Sequence, residues 1–160
     1  MNKSLLVSLN SHWSGQLLQL PVTERLQMAK LKTELDTSLM TYLIGPRRTG
    51  KSIALKQALN HLLRIETPPT QILFYEFTPN DNLEIIWEIY NFFRQEVANL
   101  NAKIYLFLDE IQFVKGYENV LKIIYDSNPN LKIIFTGSLS LSYKRKTEES
   151  LDGRFLPLYF

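Results

Sequence analysis

The chain has 160 residues, 45% of them hydrophobic and 21% charged, with a net charge of +2. That length suits one domain burying roughly 70% of its unfolded surface, and so small a charge announces neither a nucleic-acid nor a membrane-surface partner. The absence of cysteine excludes disulfides, thiolate metal sites and cysteine nucleophiles, and the two histidines, His12 and His61, lie far apart in sequence and do not suggest a zinc site.

The start, MNKSLLVSLNSHW, has one lysine and an apolar run broken by serine and asparagine. A secretory signal needs a longer unbroken apolar stretch. No stretch approaches the roughly 20 apolar residues of a membrane helix. The expectation is a soluble, cytoplasmic protein. Residues 1–22 show no clear period and read as an extension to a single domain spanning 1–160. Thr23 to about Leu39 reads as a helix with Leu26, Ala29, Leu31 and Leu35 on its apolar positions. MTYLIG, 40–45, is a short apolar run ending in glycine, the pattern of a buried strand. From Gly50 to about Arg64, Ile53, Leu55, Ala58, Leu59, Leu62 and Leu63 recur at helical spacing. Pro68 and Pro69 force a break.

QILFYEF, 71–77, is the second strand expected. Asp81 and Glu84 form a capping box for a helix running to about Leu100. KIYLFLDE, 103–110, is the third strand, and a helix follows Gly116. KIIFTGS, 132–138, is the fourth strand, and GRFLPLYF supplies a fifth at the C-terminus. Strands that alternate with helices and are themselves continuous apolar runs signify a parallel sheet covered on both faces. Periodicity does not give strand order, so a flavodoxin-like arrangement stays open at this point.

GPRRTGKS, Gly45 to Ser52, fits the phosphate-binding pattern G-x-x-x-x-G-K-[ST]. With glycine at roughly 7% of residues, a chance match in this length is below about one in a hundred. The run also follows an expected strand and opens an expected helix, as the pattern requires. Gly45, Pro46, Arg47, Arg48, Thr49, Gly50, Lys51, Ser52 and Ile53 are therefore the candidate nucleotide-binding residues. Glycines let backbone N–H groups turn inward around a phosphate, and the helix start offers its positive end to the same anion. Lys51 is expected on the β- and γ-phosphates and Ser52 on magnesium. Arg47 and Arg48 stand in the variable part of the loop, either as solvated charges or as phosphate ligands.

A carboxylate for the metal is expected at the end of LFLDE, 106–110. Asp109 fits the Walker B role, and Glu110 fits a base that orients and activates the attacking water. An acidic pair there is costly unless a cation or polar neighbours compensate it. Both could instead simply end a strand in solvent. In nucleotidases of the additional-strand class a further strand lies in space between the loop strand and the Walker B strand and carries a polar sensor. KIIFTGS is the candidate for that strand, with Thr136 or Ser138 as the sensor. The alternative is that the two residues cap a following helix.

YLIGPRRTGKS, then LFLDEIQ, KIIFTGS and LDGRF, together resemble the AAA-type ATPases of prokaryotes that usually pair this domain with a C-terminal nuclease-like domain. The resemblance covers about residues 23–158. It implies a P-loop fold of the additional-strand type, about five parallel strands, with ATP and Mg2+ as ligands and adenine as the base. It also implies that Arg154 occupies the place of a family arginine, in a segment that carries arginine fingers in ring-forming relatives. A salt bridge from Arg154 to Glu148, Glu149 or Asp152 is the competing assignment. Relatives continue into a helical lid, which is not expected within these residues, because the fifth strand would end at Phe160. The expected activity is magnesium-dependent ATP hydrolysis used as a conformational switch. The alternative is a nucleotide-binding regulatory module with little turnover. The C-terminal edge is the expected contact with a second copy or a larger assembly. Lys144, Arg145 and Lys146 beside Glu148 and Glu149 read as a solvated loop rather than a nucleic-acid site.

Overall fold

The computed structural model describes residues 3–21, 23, 26–138, 151 and 153–160. Along the chain the regular elements are α1 (Lys3–Leu9), α2 (Gln27–Glu34), β1 (Met40–Gly45), α3 (Lys51–Arg64), β2 (Ile72–Glu76), α4 (Leu83–Phe92), β3 (Ile104–Asp109), α5 (Tyr117–Asp126), β4 (Leu131–Ser138) and β5 (Phe155–Tyr159). The five strands form one parallel sheet in the order β2-β3-β4-β1-β5. β4 thus lies between the loop strand β1 and β3, as the additional-strand class requires, and β5 pairs with β1. This order excludes the flavodoxin-like alternative.

Alternate residues of each strand feed two apolar layers. Tyr42, Ile44, Leu106, Leu108, Ile133 and Phe135 pack with Ile86, Ile89, Leu121 and Ile124 of α4 and α5. Leu43, Phe74, Phe107 and Ile134 pack with Leu31 of α2 and Leu55, Leu59 and Leu62 of α3 on the other face. Burial on both faces explains why the strands read as continuous apolar runs. Among the described residues, no helix is long and apolar enough to cross a membrane.

Three sequence expectations are corrected. Of the helix expected over 23–39, the described residues are α-helical over Gln27–Glu34. Lys103 Nζ donates to the Leu35 carbonyl at 2.8 Å, and Lys132 Nζ donates to Thr37 Oγ1 and to the Leu39 carbonyl. The last carbonyls of α2 are taken by the backbone N–H groups of Leu35, Asp36 and Thr37 in tighter turns, and the two lysines hold the chain beyond them. The helix expected to reach Leu100 leaves α geometry after Phe92 and continues as a π turn over Phe93–Val97. Its N-cap is Asn82, which accepts the Ile85 N–H, and no Asp81–Glu84 capping box forms. Asp81 instead accepts from Thr78 N at 2.7 Å, closing the preceding turn.

The aperiodic N-terminus has a defined role. Phe74 N donates to Asn10 Oδ1 at 2.7 Å, and Asn10 Nδ2 donates to the Phe74 carbonyl at 3.0 Å. One asparagine side chain therefore does what a neighbouring strand would do at the outer edge of β2. Trp13 Nε1 donates to the Ile72 carbonyl at 2.7 Å, and His12 Nε2 shares that carbonyl at 3.0 Å. His12 is fully buried, and burial pulls its imidazole below the ordinary value. These contacts cover an edge that would otherwise invite pairing with another chain.

Candidate nucleotide site at the C-terminal ends of the central strands

The loop begins where β1 ends. Gly45 is buried, and a Cβ there would stand 2.5 Å from the Phe160 carbonyl oxygen, so no larger residue fits. Pro46, Arg47 and Arg48 are exposed, consistent with solvated arginines, and Arg48 holds a positive φ of 65°. Thr49 Oγ1 donates to the Pro46 carbonyl at 2.9 Å. Gly50, with φ of 89°, caps α3 in the left-handed region, where a side chain would be strained. Ile53 lies in the first turn of α3 and is 43% exposed beside the loop.

Lys51 is the first residue of α3 and is only 3% exposed. Its Nζ donates to the Gly45 carbonyl at 2.9 Å and to the Pro46 carbonyl at 2.8 Å. The ammonium thus lies over the loop that the sequence assigns to phosphates. Burial lowers its pKa; attraction to Glu110 and then Asp109 works against that, and Arg47 repels it.

Asp109 ends β3 and is fully buried. Burial pushes its carboxyl above the ordinary value of 3.8, while hydrogen bonds from Thr136 and Ser52 favour the carboxylate, and the charges of Glu76 and Glu110 push it up again. Thr136 Oγ1 donates to Asp109 Oδ1 at 2.5 Å and accepts the Glu110 N–H at 2.9 Å. One hydroxyl on β4 therefore ties the Asp109 carboxylate to the backbone N–H of Glu110, the residue that follows β3. Asp109 Oδ2 is buried with no hydrogen-bond partner. A buried carboxylate oxygen with no donor is costly and suits a cation or its water shell. Among the described residues, no cluster of three or more His, Asp or Glu gathers to hold a metal. The donor set of Ser52 with Asp109 fits magnesium, which keeps several waters and takes one or two carboxylates besides phosphate oxygens.

Glu110 turns sharply out of β3 with φ of 55°, a left-handed conformation uncommon for this residue type. Its carboxylate accepts from Gln112 Nε2. Ser138 pairs with Gly45 across β4 and β1, level with the start of the loop, and its side chain lies outside the described residues. Of the two candidate sensors, Thr136 is the one seen on the acidic pair.

Arg154 is not part of this constellation. Its carbonyl accepts from Met40 N at 2.8 Å, at the opposite end of β1 from Gly45. At roughly 3.3 Å per residue, that is about 16 Å along the strand. Its guanidinium grips Asp126 at the end of α5 through Nε at 2.9 Å and a terminal nitrogen at 3.1 Å, and holds that carboxyl below its ordinary value. The expected alternative partners Glu148, Glu149 and Asp152 lie outside the described residues, as do Lys144, Arg145 and Lys146.

Sequence reasoning passed over Gln112 and Glu76. Glu76 ends β2, pairs in register with Asp109, and lies 3.6 Å from Lys56. Only the pleat and the strand order bring it there, so no local signal announced it.

The family described as an AAA domain matches residues 37–159. An uncharacterized protein of Methanocaldococcus jannaschii is 32% identical over 133 residues, which is 79% of this chain and 27% of that protein. An uncharacterized protein of Haemophilus influenzae is 27% identical over 128 residues, 77% of this chain and 31% of that protein. The chain thus spans less than a third of either relative. Among solved structures, Cdc6p from Pyrobaculum aerophilum superposes with a TM-score of 0.62 at 12% identity, over 93% of this chain and 48% of that one. That likeness is one of fold.

Proposed function

The chain belongs to the AAA domain family, and on that premise we propose that it binds ATP with magnesium and hydrolyses the β–γ bond, using the cycle as a conformational switch. The observation that carries this reading is the knot of Asp109, Thr136 and Glu110 beside Lys51 and the loop. Three strands and one helix start deliver these groups to one place, and strand termini in solvent would need no such network.

Lys51 exchanges the carbonyls of Gly45 and Pro46 for the β- and γ-phosphates. Ser52 and Asp109 hold magnesium, which when bound neutralises charge on the phosphate oxygens. Glu110 orients the attacking water and takes its proton. Thr136 keeps Asp109 and the Glu110 backbone fixed relative to one another and is the candidate sensor of the γ-phosphate. No other nucleophile is required, because phosphoryl transfer rests on positioning and charge stabilisation.

A second reading, a nucleotide-binding module with little turnover, draws on Arg154. This arginine is bound to Asp126 far from the loop of its own chain, so it does not reach the phosphates of that loop. In the proposed cycle a neighbouring subunit supplies it across the β5 edge. Phosphate release measured with magnesium and again with a chelator tests the assignment. Turnover that requires magnesium and rises with chain concentration supports the ATPase. Tight binding of a non-hydrolysable analogue with no phosphate release at any concentration leaves the module.

A further inference from the structure

We infer that Gln112 is a positioning residue that holds the Glu110 carboxylate in the nucleotide site. The inference rests on the reading of Glu110 as the base. Gln112 lies in the short turn Ile111–Phe113 directly after β3, and its Nε2 donates to Glu110 Oε2. The turn is a fixed platform. Ile111 is fully buried and Val114 is 1% exposed, and both belong to the core beneath α4 and α5. Phe113 N donates to the Glu110 carbonyl at 3.2 Å and Val114 N to the Ile111 carbonyl at 2.9 Å. The left-handed φ of Glu110 bends the chain so that side chains two residues apart can meet.

The other end of the glutamine amide makes no competing bond. Its Oε1 is buried and has no donor. Most buried side-chain polar atoms have a partner, and an exception asks for an explanation. Here only the end facing Glu110 is paired, and only the N–H end can face a carboxylate. The donor is also neutral. A lysine or arginine in its place would neutralise Glu110 and compete with Lys51, to which Glu110 is already attracted. An amide fixes the carboxylate and leaves its charge available. Glu110 otherwise has freely turning side-chain torsions, and a base that wanders loses the benefit of a set geometry.

The test is a double-mutant cycle in the full chain, with Gln112→Leu and Glu110→Gln read alone and together in a single-turnover ATP assay. Gln112→Leu should lower the rate about tenfold, the loss expected for one hydrogen bond to a charged group. It should leave the KM and the affinity for a non-hydrolysable ATP analogue unchanged. In the Glu110→Gln background the same change should alter the residual rate less than about twofold, because residues acting through one another are not additive. Analogue binding reports that the site is folded, and Gln112→Met repeats the cycle if the leucine chain does not bind. Equal losses in both backgrounds, or no loss in the wild-type background, overturn the inference while Glu110 keeps its role. Wild-type turnover by Glu110→Gln overturns the base assignment and the inference with it.

Discussion

Lys51 and Asp109 are each held in a form that the unliganded fold has reason to resist. Lys51 buries a cation against two carbonyls, and Lys51→Ala removes the one full positive charge that the helix start offers to the β- and γ-phosphates. Affinity for a non-hydrolysable ATP analogue should fall by about tenfold to a hundredfold, as for a lost hydrogen bond to a charged group. Calorimetric titration checks this, and unchanged affinity would strip the loop of its assigned role. Asp109 carries the opposite burden. Its carboxyl is pushed up, chiefly by burial, so the folded state holds its proton to higher pH than the unfolded chain does. Below the ordinary value of 3.8 both states are protonated and the residue costs nothing. As pH rises through the folded value the penalty develops in full, so stability is lost in that direction. Asp109→Asn should therefore raise the melting temperature of the unliganded chain at neutral pH, with the gain disappearing toward pH values below 3.8. A neutral-pH melting temperature equal to or below that of wild type would show that the buried charge is compensated.

At the scale of elements, the sheet was legible because each strand is buried on both faces and reads as an apolar run. MTYLIG, KIYLFLDE and KIIFTGS coincide with β1, β3 and β4 to within a residue or two. Helix ends were less legible, because tertiary partners decide them. Lys103, just before β3, and Lys132 on β4 take the carbonyls of Leu35 and Leu39 past α2, and nothing in residues 23–39 shows that they will. The N-terminal cover was illegible for the same reason. Asn10 meets Phe74 across 64 positions, and a single side chain leaves no period to detect. Asn10→Ala should strip the β2 edge of that pair, at a cost of about 1–3 kcal/mol for buried backbone groups left unpaired. Urea unfolding together with amide exchange at Phe74 measures it. An unchanged midpoint with Phe74 still protected would mean that the edge needs no cover.

For the whole molecule, strand order decides what the site contains. It brings Thr136 between the loop and the acidic pair, and it sends Arg154 to the far end of β1. The sequence pointed to the first of these through KIIFTGS, since an expected strand ending in Thr-Gly-Ser had a class to fit. It could not give Arg154 its actual partner, because Asp126 is 28 positions away on another element. If Arg154 completes a neighbour's site, mixing the Lys51→Ala chain with the Arg154→Ala chain should restore part of the turnover, since one intact loop can meet one intact arginine. Wild-type specific activity should also climb with concentration, by a factor that can reach roughly 10³ where an arginine is supplied in trans. A mixture as inactive as its components, with flat specific activity for wild type, would remove the trans role.

Everything proposed for this loop turns on Glu110 serving as the base for ATP hydrolysis. The most direct measurement is phosphate release by the Glu110→Gln chain at saturating ATP and magnesium, beside its affinity for the analogue. The amide keeps the length of the side chain and can still hold a water, but it cannot take the proton. The Glu110→Gln chain should keep wild-type affinity while its turnover falls at least about a hundredfold. Turnover at the wild-type rate would contradict the base assignment.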